Sequence, residues 1–166
     1  MIKLQPKQAF TVPVNAESIT PGTFAGKSAE EIANMPIMEG NRKRTLGELF
    51  AIQCEDEPAE ANAENIKIQI DGDIHKVRRI GACMSAGEII VNGDAGMHLG
   101  EEMKGGRITV AGNADSWAGS MMRGGTIEVK GCDGDYVGAA YRGGAEGMRD
   151  GTIIIHGDAG NEIGYA

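Results

Sequence analysis

Aromatic residues are scarce: Phe, Trp and Tyr together supply 4% of the 166 residues, and tryptophan occurs once. A core without large rings must be filled in thin layers by Ile, Val, Met and Ala. Cysteine is sparse too. Cys54, Cys83 and Cys132 are odd in number, far apart and without a C-x-x-C pair, so they read as free thiols in a reducing compartment. With only His75, His98 and His156 beside them, no metal cluster is expected on this chain. Positive charge is in deficit, since 16 Lys and Arg face 24 Asp and Glu for a net charge of −8. Nucleic-acid binding needs a basic stripe, and the densest basic cluster, Lys76, Arg78 and Arg79, is short. No apolar run approaches the ~20 residues of a membrane span, and the N-terminus lacks a signal-peptide core, so the expected compartment is the cytoplasm.

Glycine, by contrast, is abundant, with 20 of the 26 lying from Gly87 onward. There one phrase is written four times: GEIIVNGDAGMHLG from Gly87, GRITVAGNADSWAG from Gly106, GTIEVKGCDGDYVG from Gly125 and GTIIIHGDAGNEIG from Gly151. The first three leading glycines are 19 residues apart, a fixed period that marks stacked repeats. Two aliphatic residues stand four and two places before a glycine in each unit: Ile68 and Ile70, Ile89 and Val91, Ile108 and Val110, Ile127 and Val129, Ile153 and Ile155. Alternation at period two turns these inward and leaves Lys67, Gln69, Glu88, Thr109, Glu128 and Lys130 outward. Met84, Met103 and Met122 form a second inward row, and Ile80, Leu99, Ala118, Val137 and Ile163 a third. Asp94, Asn113 and Asp158 follow a corner glycine, where a short polar side chain can bond its own backbone; Cys132, at the same position, reads as a structural substitute. The expected fold class is mainly β, a right-handed parallel β-helix (solenoid) of about five coils.

Residues 1–54 read as a small cap with short strands and two short helices. Pro6, Pro13 and Pro21 interrupt a weak alternation, which suits edge strands and extended arms. Ser28-Ala29-Glu30-Glu31 is a capping box that predicts a helix to about Met35, and Thr45-Leu46-Gly47-Glu48 predicts another through Phe50 and Ala51. The acidic stretch 55–65 reads as a solvated linker to a repeat domain over 66–166. Gly26-Lys27-Ser28 is not a phosphate loop, because Gly22 is one residue too close and Pro21 stands where the first glycine belongs.

The period breaks once. Gly138 to Met148 takes ten residues where Gly100 to Met103 and Gly119 to Met122 take three, so seven extra residues bulge from the third complete coil. Insertions in stacked repeats map to loops on one face, often the binding face. This loop carries Tyr141 and Arg142, residue types that interfaces favour. His98, Trp117, Tyr136 and Glu162 share one offset and should align as a column on the surface. The interface candidates are therefore His98, Trp117, Tyr136, Tyr141 and Arg142; no catalytic, cofactor-binding or metal residue is expected. Zinc hydration chemistry needs three converging histidines, and His98 and His156 occupy different offsets. Asp94 and Asp158 share an offset two coils apart, which favours corners over the acid pair of a polysaccharide-cleaving β-helix.

The stretches GDAGMHLGEEMKGG, GNADSWAGSMMRGG and GCDGDYVGAAYRGGAEGM closely resemble the C-subunit of formylmethanofuran dehydrogenase, and PGTFAGKSAEEI and EGNRKRTLGELF resemble that family's leading segment. Gly93-Gly96-Gly100 is more distantly similar to the G-x-x-G-x-x-x-G signature of the C-terminal domain of the glutamate synthase large subunit. The first resemblance implies a right-handed β-helix without catalytic residues, a structural subunit of a complex that reversibly reduces carbon dioxide to formylmethanofuran in methanogenesis. It implies partners that carry a molybdenum or tungsten pterin (molybdopterin), a metal-dependent amidohydrolase site and iron–sulfur clusters. The same subunit type occurs in bacterial formyltransferase/hydrolase complexes, which gives one alternative. A glutamate-synthase-type module and an independent β-helical enzyme are the others. Family members continue with further coils, whereas this sequence stops at Gly164-Tyr165-Ala166, which predicts an exposed final coil.

Overall fold

Strands from both halves of the chain share two sheets in the computed structural model, which describes residues 1–55 and 62–165. In chain order the elements are β1 (Ile2–Pro6), β2 (Val14–Asn15), α1 (Pro21–Phe24), α2 (Ala29–Ala33), β3 (Pro36–Glu39), β4 (Arg42–Thr45), α3 (Leu46–Leu49) and β5 (Phe50–Cys54). A 3-10 turn (Ala63–Asn65) then leads into β6 (Lys67–Asp71), β7 (Val77–Arg78), β8 (Glu88–Asn92), β9 (Arg107–Val110), β10 (Arg123–Val129) and β11 (Asp150–Ile155). One sheet runs β11-β10-β9-β8-β6-β1-β5 and the other β4-β3-β2-β7.

The fold is mainly β, and the repeat register is kept strand to strand. Ile68, Ile89, Ile108, Ile127 and Ile153 stand opposite one another across parallel β6, β8, β9, β10 and β11. The inward aliphatic pairs are fully buried as far as Val129, whereas Ile153 and Ile155 are only partly covered. Corners stack as well: Gly100 N donates to Ile80 O at 2.8 Å, Gly119 N to Leu99 O at 2.7 Å and Gly138 N to Ala118 O at 2.9 Å. Such superposition leaves no room for a side chain where backbones touch. A Cβ on Gly93 would lie 2.1 Å from the Gly72 carbonyl oxygen. The Met84, Met103 and Met122 row is buried, and so is the third row through Val137, but Ile163 is 52% exposed. Its inward placement is thus corrected, because no described residue stacks over its coil.

The polar corner residues act differently from expectation. Asp94 Oδ1 accepts from Asn113 N at 2.7 Å, Asn113 Oδ1 from Cys132 N at 2.9 Å and Cys132 Sγ from Asp158 N at 3.4 Å. Each side chain bonds the equivalent amide of the next coil instead of its own backbone, because stacking brings that amide within reach. A second ladder runs beside it, with Ser116 Oγ accepting from Asp135 N at 3.1 Å and Asp135 Oδ1 from Asn161 N at 2.6 Å.

Three features of the N-terminal segment depart from the sequence reading. β1 is no edge strand: it lies between β5, antiparallel, and β6, parallel, with Pro6 tolerated as its last residue. α1 is an additional helix, begun by Thr20 Oγ1 accepting from Thr23 N at 3.1 Å with Pro21 in its first turn. α3 stops at Leu49, since Phe50 is buried and already belongs to β5 opposite Pro6. Both capping boxes form, Ser28 N donating to Glu31 Oε2 and Thr45 N to Glu48 Oε2, each at 2.7 Å. Of the stretch read as a linker, residues 56–61 lie outside the described residues, as does Ala166.

Candidate functional site

The inserted loop leaves and re-enters the stack at a single corner. Met148 N donates to Gly138 O at 2.7 Å, the bond that Met103 N makes to Gly100 O and Met122 N to Gly119 O, each at 3.1 Å. Residues 141–147 are thereby looped out, while Ala139 and Ala140 keep their places in the stack, Met121 N donating to Ala139 O at 3.3 Å. Ala139 and Ala140 are buried at the root, residues 142–146 are exposed, and Tyr141 folds back over the stack.

The residues sharing one offset do align. His98 and Trp117 stack with centroids 5.9 Å apart, Trp117 and Tyr136 with centroids 4.4 Å apart and planes 11° from parallel. Coil spacing of about 4.8 Å is the natural distance for offset stacking. Tyr141 leans on His98 at 5.7 Å and on Trp117 at 5.5 Å, so the column is half-buried instead of standing free. Its members occupy the left-handed region: φ is 60° at His98, 70° at Trp117, 63° at Tyr136 and 56° at Glu162. For bulky side chains that conformation costs roughly 1–2 kcal/mol each. Backbone bonds between coils hold it, His98 N donating to Ser116 O at 3.1 Å and Trp117 N to Asp135 O at 2.9 Å. Arg142, the fifth candidate, is exposed and joins Trp117, Tyr136, Glu162 and Tyr165 around a separate cavity of about 380 Å³.

Two further residues of this cluster escape the sequence reading. Arg79 has the same offset and φ of 64°, extending the column by one coil. Glu101 is 4% exposed, in the place after the corner glycine that Ala82, Ser120 and Ala139 fill in neighbouring coils. A carboxylate in a row of small residues is the available signal. Its Oε1 accepts from the Tyr141 hydroxyl; its Oε2 lies 3.1 Å from Arg79 Nε and 3.8 Å from His98 Nδ1. The Arg79 contact is an ion pair with poor hydrogen-bond geometry, which leaves Oε2 without a donor. Burial lowers the His98 imidazole below its ordinary pKa, Glu101 opposing and Arg79 adding to the shift; burial likewise raises the Tyr141 phenol. His98 is thus a neutral ring in a stack, and Tyr141 a hydroxyl donor. Among the described residues no group of three or more His, Cys, Asp and Glu could hold a metal ion, and no helix is long and apolar enough to cross a membrane.

Fold and site define a glycine-cornered β repeat protein whose distinctive feature is a rigid aromatic column locked by a buried carboxylate. No family model matches the chain. It is 55% identical over 99 residues, 60% of its length, to the C-subunit of the tungsten-containing formylmethanofuran dehydrogenase 2 of Methanothermobacter wolfeii, of which it spans 36%. It is 51% identical over 97 residues to the C-subunit of the molybdenum-containing formylmethanofuran dehydrogenase 1 of Methanothermobacter marburgensis, spanning 23% of that protein. In fold it matches, with TM-score 0.86 and 32% identity over 98% of its own length and 58% of the other, a chain of the formyltransferase/hydrolase complex of Methylorubrum extorquens, crystallised with methylofuran. Over the matched stretch the chain is thus similar to C-subunits of formylmethanofuran dehydrogenases, and it spans about a third of the length of the tungsten relatives.

Proposed function

We propose that this chain is the non-catalytic, structural C-subunit of a cytoplasmic formylmethanofuran dehydrogenase complex, which reversibly reduces carbon dioxide to formylmethanofuran. Its stacked coils make a right-handed parallel β-helix over 66–166, covered at one end by residues 1–54. Molybdopterin with molybdenum or tungsten, the amidohydrolase site and the iron–sulfur clusters belong to partner subunits that it holds in place. The identity of 50–55% to proteins named as this C-subunit carries the reading. The site supports docking over chemistry: its one buried carboxylate is committed to Arg79 and Tyr141, and its rings are fixed in a stack. The second reading, membership of a bacterial formyltransferase/hydrolase complex, draws on the match along 98% of the chain.

Affinity capture of the tagged chain from native extract tests this. Co-purification of molybdopterin and amidohydrolase subunits is expected, and Trp117→Ala with Tyr136→Ala should reduce it while the circular dichroism spectrum is unchanged. Recovery of a partnerless monomer overturns the proposal, and bound zinc with carbonic anhydrase activity would replace it by an independent enzyme. Glutaminase and flavin subunits in the eluate would point to the glutamate synthase relationship.

A further inference from the structure

The four-stranded sheet places a row of exposed side chains across its strands. Register pairs Lys43 with Met38, Met38 with Asn15 and Asn15 with Arg78, all four exposed. Beside the row lies a cavity of about 400 Å³, lined in part by Met38, Arg78, Arg79 and His98. A second, of about 210 Å³, adjoins it across Pro13 and Arg78 and is lined further by Lys76 and Met97. Together they form a groove that ends at the aromatic column through His98. Its charge runs against that of the chain. Lys76, Arg78 and Arg79 line it and Lys43 stands at the end of the adjoining row, in a protein of net charge −8, and neither Lys43 nor Arg78 has an ion-pair partner among the described residues. The facing acids are Asp115, in the smaller cavity, and Glu17 and Glu101, paired to Arg79 at 3.2 and 3.1 Å, so Lys43, Lys76 and Arg78 carry the groove's uncompensated charge. Met38 and Val12, each 40% exposed, add apolar surface, Val12 lying against Gly40 at the groove's rim.

Resting on the structural-subunit reading, we infer that this groove seats an extended segment of a partner subunit in which acidic residues alternate with apolar ones. Lys43 and Arg78 stand at the two ends of the row, three strand spacings or about 14 Å apart, the reach of about four residues of an extended strand, so carboxylates at alternate residues put one on each cation, and the apolar residues between them turn to the groove's rim, where Val12 lies. Like charge elsewhere on the chain repels an acidic partner, so the groove also fixes where it lands.

The test uses the full chain and its double variant Lys43→Glu, Arg78→Glu, with a short fluorescein-labelled peptide alternating Glu and Val. Anisotropy should show binding that weakens with salt and falls at least about tenfold in the variant, the peptide alternating Lys and Val failing to bind. The melting temperature should not move, since both side chains are exposed. Partner recovery from native extract should fall in parallel. Equal binding of both peptides, or tighter binding of a single-stranded oligothymidylate, overturns the inference. Lost peptide binding with undiminished partner recovery also overturns it and leaves the structural reading standing. Failure of the unaltered chain to recover any partner strikes that reading alone, and the peptide arm still reports on the groove.

Discussion

Replacing Glu101 by Gln keeps the shape of the side chain and removes its charge, which isolates what the carboxylate does beneath the aromatic column. Removing one partner of a fully buried ion pair costs about 3–5 kcal/mol. Two features reduce that figure here. The Arg79 side chain is 37% exposed and retains Glu17 at 3.2 Å, and the amide oxygen of Gln still accepts from Tyr141. The expected loss is therefore about 2 kcal/mol, or roughly 4–8 °C in melting temperature for a chain of this size. Trp117 is the single tryptophan and touches His98, Tyr136 and Tyr141, so its fluorescence reports on the same event. Loosening of Tyr141 should shift its emission to the red and raise its quenching by iodide. Tyr141→Phe should do the same, and the double variant should be less destabilised than the sum, with a coupling of about 1 kcal/mol. A melting temperature unchanged within about 1 °C and an unmoved spectrum would refute the clamp.

Asp133 stands in a row with buried Ile74, Ala95 and Ala114 and with exposed Ala159; burial first, then Asp115, push its pKa up to about 7, against the Gly134 amide. Between pH ~4 and ~7 the folded state keeps a proton that the unfolded chain has released, so stability falls as pH rises through that window. Asp133→Ala should therefore gain about 2–3 kcal/mol at pH 8 and much less at pH 4, measured by denaturant unfolding; an equal gain at both would sink the argument. Asn113→Ala removes the acceptor of Cys132 N and should cost about 1 kcal/mol, whereas Asn113→Asp, the residue type at position 94, should be nearly neutral in the same assay. Gly93→Ala drives a Cβ into the Gly72 carbonyl and should cost more than about 4 kcal/mol or abolish expression of folded protein; a melting temperature like that of the parent would contradict the stacked-corner geometry.

What the sequence makes legible follows from how far each signal is local. Aliphatic alternation and the 19-residue recurrence fix which side of a strand is buried, and Ile68 through Val129 obey it. The capping boxes at Ser28 and Thr45 depend on residues three apart and form as written. Local alternation makes β1 look like an edge because its neighbours, β5 and β6, come from distant segments that no local pattern reveals. For the same reason the corner Asp and Asn residues look committed to their own turns, when their oxygens serve a coil 19 residues ahead. Offset alone finds the column but not its half-burial, since Tyr141 reaches it from a loop outside the period. Arg79 shares the column's offset and is within reach of the same reasoning; its tie to Glu101 spans 22 positions and is not.

Strain at the column and freedom in the loop are consequences of the same stacking. A corner in the left-handed conformation is cheapest with glycine, yet the offset carries Arg, His, Trp, Tyr and Glu in successive coils. Nothing in the corner itself offsets that cost. Compensation comes from the next coil, which stacks each ring on another, with the Trp117–Tyr136 pair contributing about 0.5–1.5 kcal/mol beyond its burial. A side chain held this way has few alternative rotamers, so presenting it to a partner loses little further entropy. The loop is free for the complementary reason: Met148 restores the corner bond that Met103 and Met122 make, so its length can change without shifting β11. Periodic packing thus supplies the order of the rings, and the interruption of the period supplies the reach by which Tyr141 comes to lie on His98 and Trp117.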